Sequence, residues 1–406
     1  MKRVAIVTLA VALENEKGYS RFRFLANLLS QFYEVDLITS TFQHWEKKQR
    51  NEDAMNSVVR NYNVYLAYEP GYKKNVDIKR VYSHKVAVKN IIKILEKNNY
   101  DLIYCIIPDN NMAARVGKYA KNNGIKYIVD VEDLWPEAME MVSILPKFMN
   151  KLLFTSFRKD ARKAYKYADA FVGTSDEYRD IPKNKYDIGD KPSITVYVGC
   201  DLDDFDDGVE EFSGELIKPE KEFWITYAGN LGSSYDIPTL IRASQEMYSD
   251  FPNIKVKILG GGPLENDFKN IASEKECNVD FVGYTPYRKM AAYLVKSDIL
   301  INSFVKKAPQ SIVTKIGDYL AAAKPMINTL SSVEFREKVE KDGFGENVEA
   351  EDVEALKGVI VSLYMNHNKR DAMGTRARFV AEREFDRKTS YMNIKNLIDT
   401  LLNKGV

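Results

Sequence analysis

Three cysteines and three histidines are all that this 406-residue chain contains of the side chains that most often form cross-links or hold zinc. Cys105, Cys200 and Cys277 are odd in number and far apart, which argues against a disulfide framework and fits a reducing compartment such as the cytoplasm. His44, His84 and His367 stand in no metal-ligand spacing, and no metal site is expected. Apolar runs of the ~18 residues needed to span a membrane are missing. The opening Met1-Lys2-Arg3 and the apolar Val4-Ala5-Ile6-Val7 imitate a signal peptide, but the run reaches Glu14 without a small-residue cleavage site. A first buried strand is the better reading. Excess charge is missing too: 59 Lys+Arg meet 58 Asp+Glu. A nearly neutral chain with no recognisable binding module argues against nucleic acid as a partner.

What remains is ordinary globular protein, 45% hydrophobic and 29% charged. At roughly 150 residues per domain the length suggests two to three domains. Residues 1–200 hold 32 Lys+Arg against 24 Asp+Glu, and the rest hold 27 against 34. The N-terminal half is therefore the one suited to an anionic partner.

Short apolar runs alternate with helical patterns. Strands are expected at Val4–Thr8, Glu34–Thr39, Val64–Tyr68, Leu102–Ile107, Lys126–Val131, Ala170–Thr174 and Ser193–Tyr197. Helices are expected at Ser20–Phe32, Val86–Lys97 and Asn111–Asn122. Residues 203–221 are acidic, turn-rich and aperiodic, and read as a linker. The alternation then restarts with strands at Phe223–Ala228, Lys255–Leu259, Val279–Val282, Ile299–Asn302 and Met326–Asn328. Such alternation predicts an α/β protein with two doubly wound, Rossmann-like domains, each a parallel sheet covered on both faces. The expected division is 1–205, 206–383 and a terminal segment 384–406. Ligands of such sheets bind at the carboxyl ends of strands.

The run Lys315-Ile316-Gly317-Asp318-Tyr319-Leu320-Ala321-Ala322-Ala323-Lys324-Pro325 reads as a helix from near 311 to Lys324. Lys315 and Asp318 would share one face. The helix start and Lys315 suit a phosphate, and Asp318 suits sugar hydroxyls. Tyr227-Ala228-Gly229-Asn230-Leu231-Gly232 follows a strand and reads either as a phosphate loop or as a tight turn. Leu259-Gly260-Gly261-Gly262-Pro263 and Val282-Gly283-Tyr284 leave the same two readings open. Val129-Asp130-Val131-Glu132-Asp133-Leu134-Trp135-Pro136-Glu137 ends a strand in carboxylates. Glu132 and Asp133 could orient a hydroxyl, or Asp133 could cap a turn. Gly18-Tyr19-Ser20-Arg21 precedes a helix, and Ser20 suits an N-cap or a ligand contact.

The Lys315–Pro325 run resembles the Lys-x-x-Glu-Tyr-Leu-Ala-x-Gly-Lys-Pro segment of retaining glycosyltransferases of the GT-B architecture, family 4. The resemblance extends over nearly the whole chain. It implies two facing domains with a cleft, and terminal helices that cross back to the first domain. It implies donor contacts at Gly229, Asn230, Gly261, Val282, Gly283, Tyr284, Lys315 and Asp318, with the backbone near Val282 and Tyr284 holding a uracil edge. Two family carboxylates eight positions apart fall on Gln310 and Asp318, both departures from Glu. Asp133-Leu134-Trp135-Pro136-Glu137 resembles transferases of lipopolysaccharide and capsule assembly, including those handling N-acetylated amino sugars. Glu132 stands where many relatives carry His. The resemblance assigns Glu132, Asp133 and Gln310 to catalysis, and Gly18, Ser20 and Arg21 to the acceptor side. It implies a UDP-linked sugar as donor and no cofactor or metal.

Residues 147–166 are basic and amphipathic. Met149, Leu152, Leu153, Phe157 and Ala164 form one stripe, and Lys147, Lys151, Arg158, Arg162 and Lys166 lie opposite. Such a helix fits an anionic membrane surface, or packs on its own domain with a solvated face. The expected function is glycosyl transfer to a lipid-linked glycan at the inner membrane face. A soluble transferase with a small acceptor, and a non-catalytic nucleotide-sugar-binding subunit, are the alternatives.

Overall fold

The computed structural model describes residues 1–14, 16, 18–51, 58–75, 77–136, 146–308 and 312–403. They form two compact units, Met1–Val196 with Tyr391–Val406, and Tyr197–Ser390.

Unit 1 contains β1 (Arg3–Val7), β2 (Glu34–Ser40), β3 (Phe42–Gln43), β4 (Lys48–Gln49), β5 (Asn63–Ala67), β6 (Leu102–Ile107), β7 (Lys126–Val131), β8 (Ala170–Gly173) and β9 (Ser193–Thr195). Seven of them form one parallel sheet in the order β5-β2-β1-β6-β7-β8-β9. Alternate residues of the central strands feed opposite cores. Ala5, Val7, Ile103, Cys105, Ile107 and Val129 pack on one side. Val4, Ile6, Leu102, Tyr104, Ile106 and Ile128 pack on the other. Period-2 alternation of two apolar sets is what a sheet covered on both faces demands. β3 and β4 make a small antiparallel hairpin, an element absent from the sequence expectation.

Unit 2 contains β10 (Phe223–Ala228), β11 (Ile254–Leu259), β12 (Val279–Gly283), β13 (Ile299–Asn302), β14 (Met326–Asn328) and β15 (Gly345–Asn347). They form a parallel sheet in the order β12-β11-β10-β13-β14-β15. Ile225, Tyr227, Val256, Ile258, Ile299 and Ile301 face one core, and Ala228, Leu259, Leu300 and Met326 the other. The α/β class and the two Rossmann-like sheets are therefore as the alternation predicts.

Three expectations are corrected. The expected linker holds a helix, Leu202–Phe212, capped by the Asp201 carboxylate. Leu202, Phe205 and Gly208 give it a buried stripe, and Arg288 pairs with Asp204, Asp207 and Glu211. An opposite charge from another helix thus offsets an acidity that reads as turn. The helix expected from 311 to Lys324 is only Ile316–Ala321, with Lys315 at its N-cap position. The basic helix breaks at Phe154 into Lys147–Leu153 and Thr155–Tyr167. Among the described residues no helix is long and apolar enough to cross a membrane.

Candidate functional site

In unit 2 three glycine-bearing segments meet at the carboxyl ends of β10, β11 and β12. Gly229 N donates to Leu259 O (2.9 Å), Leu231 N to Gly261 O (3.0 Å) and Gly260 N to Gly283 O (2.8 Å). Leu264 N closes the set by donating to Leu231 O (3.0 Å). Gly260 has φ +121°, and a Cβ there would sit 1.9 Å from Gly229 O. Only glycine allows the two loops to touch in this way. Asn230 is exposed at the tip. Val282 and Tyr284 are also open to solvent, Tyr284 at 72%.

Lys315 sits under this cluster. Its Nζ is buried and has no hydrogen-bond partner. It lies 4.2 Å from the ring centroid of Tyr227, 4.7 Å from Tyr235 and 5.3 Å from Phe304. A Cβ on Gly229 would be 3.1 Å from it, so the amine abuts the glycine loop. Burial pushes its pKa down to about 7. The ring faces return part of the lost hydration, but an ammonium without a partner is the group an incoming anion satisfies. The cage is held by Tyr319, whose hydroxyl accepts from Ala228 N (2.7 Å) and donates to Ala228 O (3.2 Å).

Asp318 turns elsewhere. It accepts from the Tyr287 hydroxyl at 2.8 Å. Burial raises its pKa to about 6, against the Tyr287 hydrogen bond and the charge of Arg387. Lys315 and Asp318 are one turn apart, yet each is held by its own neighbours, and the six-residue helix gives little dipole to add. Gln310 lies outside the described residues, as does Glu137.

Unit 1 brings together a second set at the carboxyl end of β7. Arg21, expected to line the acceptor loop, is instead fully buried. Its Nη2 lies 3.0 Å from Asp130 Oδ2 and its Nε 3.1 Å from Glu132 Oε1. Glu132 Oε1 also accepts from the Tyr19 hydroxyl (2.9 Å), and Asp130 Oδ2 from the Tyr104 hydroxyl (2.6 Å). Two carboxylates share one guanidinium. Burial, with the neighbouring Asp130 charge, pushes the Glu132 carboxyl up to about 8 in spite of Arg21. A carboxyl of that kind can donate or accept a proton near neutral pH. Asp133 caps its own turn: Oδ1 accepts from Leu134 N (2.8 Å) and Oδ2 from Trp135 Nε1 (3.1 Å). Burial raises its pKa as well.

Gly18 has φ +131° and lies flat under the Trp45 ring, where a Cβ would meet the ring at 2.5 Å. Ser20 holds the N-cap position of the helix Arg21–Leu29, but its hydroxyl makes no cap bond. Arg162 and Lys166 are exposed and Arg158 half-buried. The side chain of Lys151 lies outside the described set. Leu152 and Leu153 are 80% and 56% exposed, whereas Ala161, Ala164 and Tyr165 pack inward. Sequence reasoning missed the ring cage of Tyr227, Tyr235 and Phe304, the Tyr319 clamp, and the Tyr19 and Tyr104 partners of the carboxylates. Their spacings carry no signal, because only the fold brings them together.

Residues 208–379 match the family model described as glycosyl transferases group 1. An uncharacterised glycosyltransferase of Methanocaldococcus jannaschii is 24% identical over 273 residues, 64% of this chain and 66% of that relative. The match thus spans just under two thirds of the relative's length. Sucrose-phosphate synthase of Thermosynechococcus elongatus has a similar structure, with TM-score 0.74, 15% identity and 100% of both chains covered. So does HepE of Anabaena in complex with UDP, with TM-score 0.70, 12% identity and 98% and 100% covered. The two structures show the fold. That fold is the GT-B architecture, and the matched segment is similar to glycosyl transferases group 1.

Proposed function

We propose that this chain is a retaining glycosyltransferase that moves a sugar from a UDP-linked donor to a hydroxyl of a lipid-linked glycan. The observation that carries the reading is Lys315, a buried amine with no partner, set against the Gly229 loop at the carboxyl edge of the unit 2 sheet. The loop glycines let a diphosphate approach the backbone, and Lys315 supplies the charge. As the bond from the anomeric carbon to the diphosphate breaks, negative charge grows on the leaving oxygen, and the fixed ammonium stabilises it. The acceptor hydroxyl oxygen then bonds the anomeric carbon on the same face of the sugar, and its proton passes to the departing diphosphate oxygen. The UDP of the HepE complex is the model for the donor's nucleotide. The exposed Leu152 and Leu153 of one helix and the exposed Arg162 and Lys166 of the next fit contact with an anionic membrane, where a lipid-linked acceptor resides.

A binding-only subunit is a second reading, favoured by Asp318, whose carboxylate is already engaged by Tyr287. Calorimetric titration with UDP, GDP and a panel of UDP-sugars, without added metal, tests both. Binding of UDP and one UDP-sugar is expected, with turnover once an acceptor is supplied. Binding without donor hydrolysis or transfer selects the subunit reading. Binding of no nucleotide removes both.

A further inference from the structure

A cationic cluster lies in unit 1, separate in the chain from the donor residues described in unit 2. Its members come from segments that follow the carboxyl ends of β2, β5 and β7. Lys47 occupies the β3–β4 turn at φ +54°, Tyr72 follows β5, Trp135 follows β7, and Arg80 is in the first turn of the helix Ile78–Glu96. Lys47 Nζ stands 4.7 Å from the Tyr72 ring centroid and Arg80 Cζ 5.4 Å from the same centroid. Arg80 also lies 4.8 Å from the Trp135 ring.

Both cations are fixed by an amide and not by an acid. Lys47 Nζ donates to Asn75 Oδ1 (2.7 Å) and Arg80 Nη1 to Asn75 O (2.9 Å). Arg80 Nε is buried without a hydrogen-bond partner. The acids nearby are engaged by others. Glu69 accepts from Ser83 Oγ (2.8 Å), and Asp109 takes Met112 N (2.9 Å) and lies 2.7 Å from His84 Nδ1. His44 Nδ1 is 2.6 Å from the Tyr72 hydroxyl and 3.4 Å from Lys47 Nζ. Burial and the charges of Lys47 and Arg80 push its pKa down to about 4, so the ring is neutral and adds no third charge. Trp135 Nε1 donates to Asp133 (3.1 Å), which places the cations beside the Glu132–Asp133 end of β7.

We propose that Lys47 and Arg80 bind a phosphate group of the acceptor. Two cations held on one ring, with no carboxylate pairing them among the described residues, call for two negative charges and several acceptor oxygens. A phosphate supplies both, whereas a carboxylate supplies one charge. Arg80 offers its planar fork and Lys47 a point charge. The ligand chemistry is the same whether the phosphate links a glycan to a lipid or belongs to a soluble sugar phosphate. This inference rests on the transferase reading for the acceptor's role, but not for the existence of the anion site.

The test is binding of glucose 6-phosphate, glucose and a short-chain prenyl diphosphate to the full chain. Wild type is compared with Lys47→Gln, Arg80→Gln and Arg80→Lys, and UDP is titrated into the same samples. At least one phosphorylated probe is expected to bind tenfold or more tightly than glucose. That preference should vanish in Lys47→Gln and Arg80→Gln and return in part in Arg80→Lys, which keeps the charge. Selectivity for the prenyl diphosphate assigns a lipid source, and selectivity for glucose 6-phosphate a soluble one. If neither probe binds wild type, or binding survives both Gln variants, the inference is overturned. UDP binding alongside that failure leaves the donor reading standing. Lack of UDP binding with an intact, Lys47-dependent phosphate site overturns the donor reading instead.

Discussion

Lys315 is held in the state that a ligand must reverse. Its ordinary pKa is about 10.4, and burial brings it to about 7. Between these values the unfolded chain binds a proton that the folded, ligand-free protein does not. Stability of the free protein therefore rises with pH from about 7 towards 10. Diphosphate binding has the opposite sign, because the anion pairs with the protonated amine. UDP affinity is expected to be highest below pH 7 and to fall above it, approaching tenfold per pH unit for one linked proton. Lys315→Met should lower affinity near pH 6.5 by roughly ten- to a hundredfold, the ~1.5–3 kcal/mol of a charged hydrogen bond, and should abolish the pH slope. Calorimetry from pH 6 to 9 reads both, and a slope that persists in Lys315→Met would assign the proton to another group. Glu132 shows how a residue is mis-set when read alone. Its neighbour in sequence, Asp133, closes a turn, while its working partners are Tyr19 and Arg21, more than a hundred positions away. Arg21 is buried and pairs with Asp130 and Glu132.

At the scale of elements, the strands were legible and several helices were not. β6, β7, β10, β13 and β14 have the expected bounds because a strand buried on both faces must be a short apolar run. Leu202–Phe212 was hidden because its acidity is balanced by Arg288, 77 to 84 positions onward. The β3–β4 hairpin has two residues per strand, too few for a period to show. The glycine loops were legible as turns, yet their convergence was not, since it depends on strand order. The basic segment was legible as amphipathic, but not its break at Phe154 into two helices. Thr155–Tyr167 buries Ala161 and Ala164, while Leu152 and Leu153 stay exposed. Exposed leucines with exposed cations lead to a prediction at this scale. Changing Arg162, Lys166 and Lys159, a third exposed cation of the same helix, to Glu should weaken binding to phosphatidylserine vesicles by roughly a hundredfold or more, at ~1 kcal/mol per cation removed near the surface. Sedimentation with vesicles measures it. Equal sedimentation of the variant and wild type would leave the helix as a solvated face of unit 1.

At the scale of the molecule, unit 1 is completed by the last helix of the chain. Met392–Asn403 places Ile394, Leu397, Ile398 and Leu401 in the same core as Val4, Ile6, Phe22 and Leu25. Tyr33 donates to Asp399 at 2.6 Å, and the Tyr391 ring packs 5.2 Å from the buried Arg21 guanidinium. The Arg21–Glu132 arrangement therefore depends on residues nearly 400 positions from the start of the chain. A contact of such separation forms late, because loop closure precedes any gain from it. Ile398→Ala should cost ~2–5 kcal/mol through lost burial and the cavity left behind. Hydrogen exchange should show that loss at β1 and β6, whose Val4, Ile6, Leu102 and Tyr104 belong to the same core. The same variant should loosen Tyr391 over Arg21 and with it the hold on Glu132, so transfer should weaken while UDP affinity, read at Lys315 in unit 2, stays as in wild type. Unchanged protection at β1 and β6 would mean that the terminal helix packs on unit 1 without supporting its core.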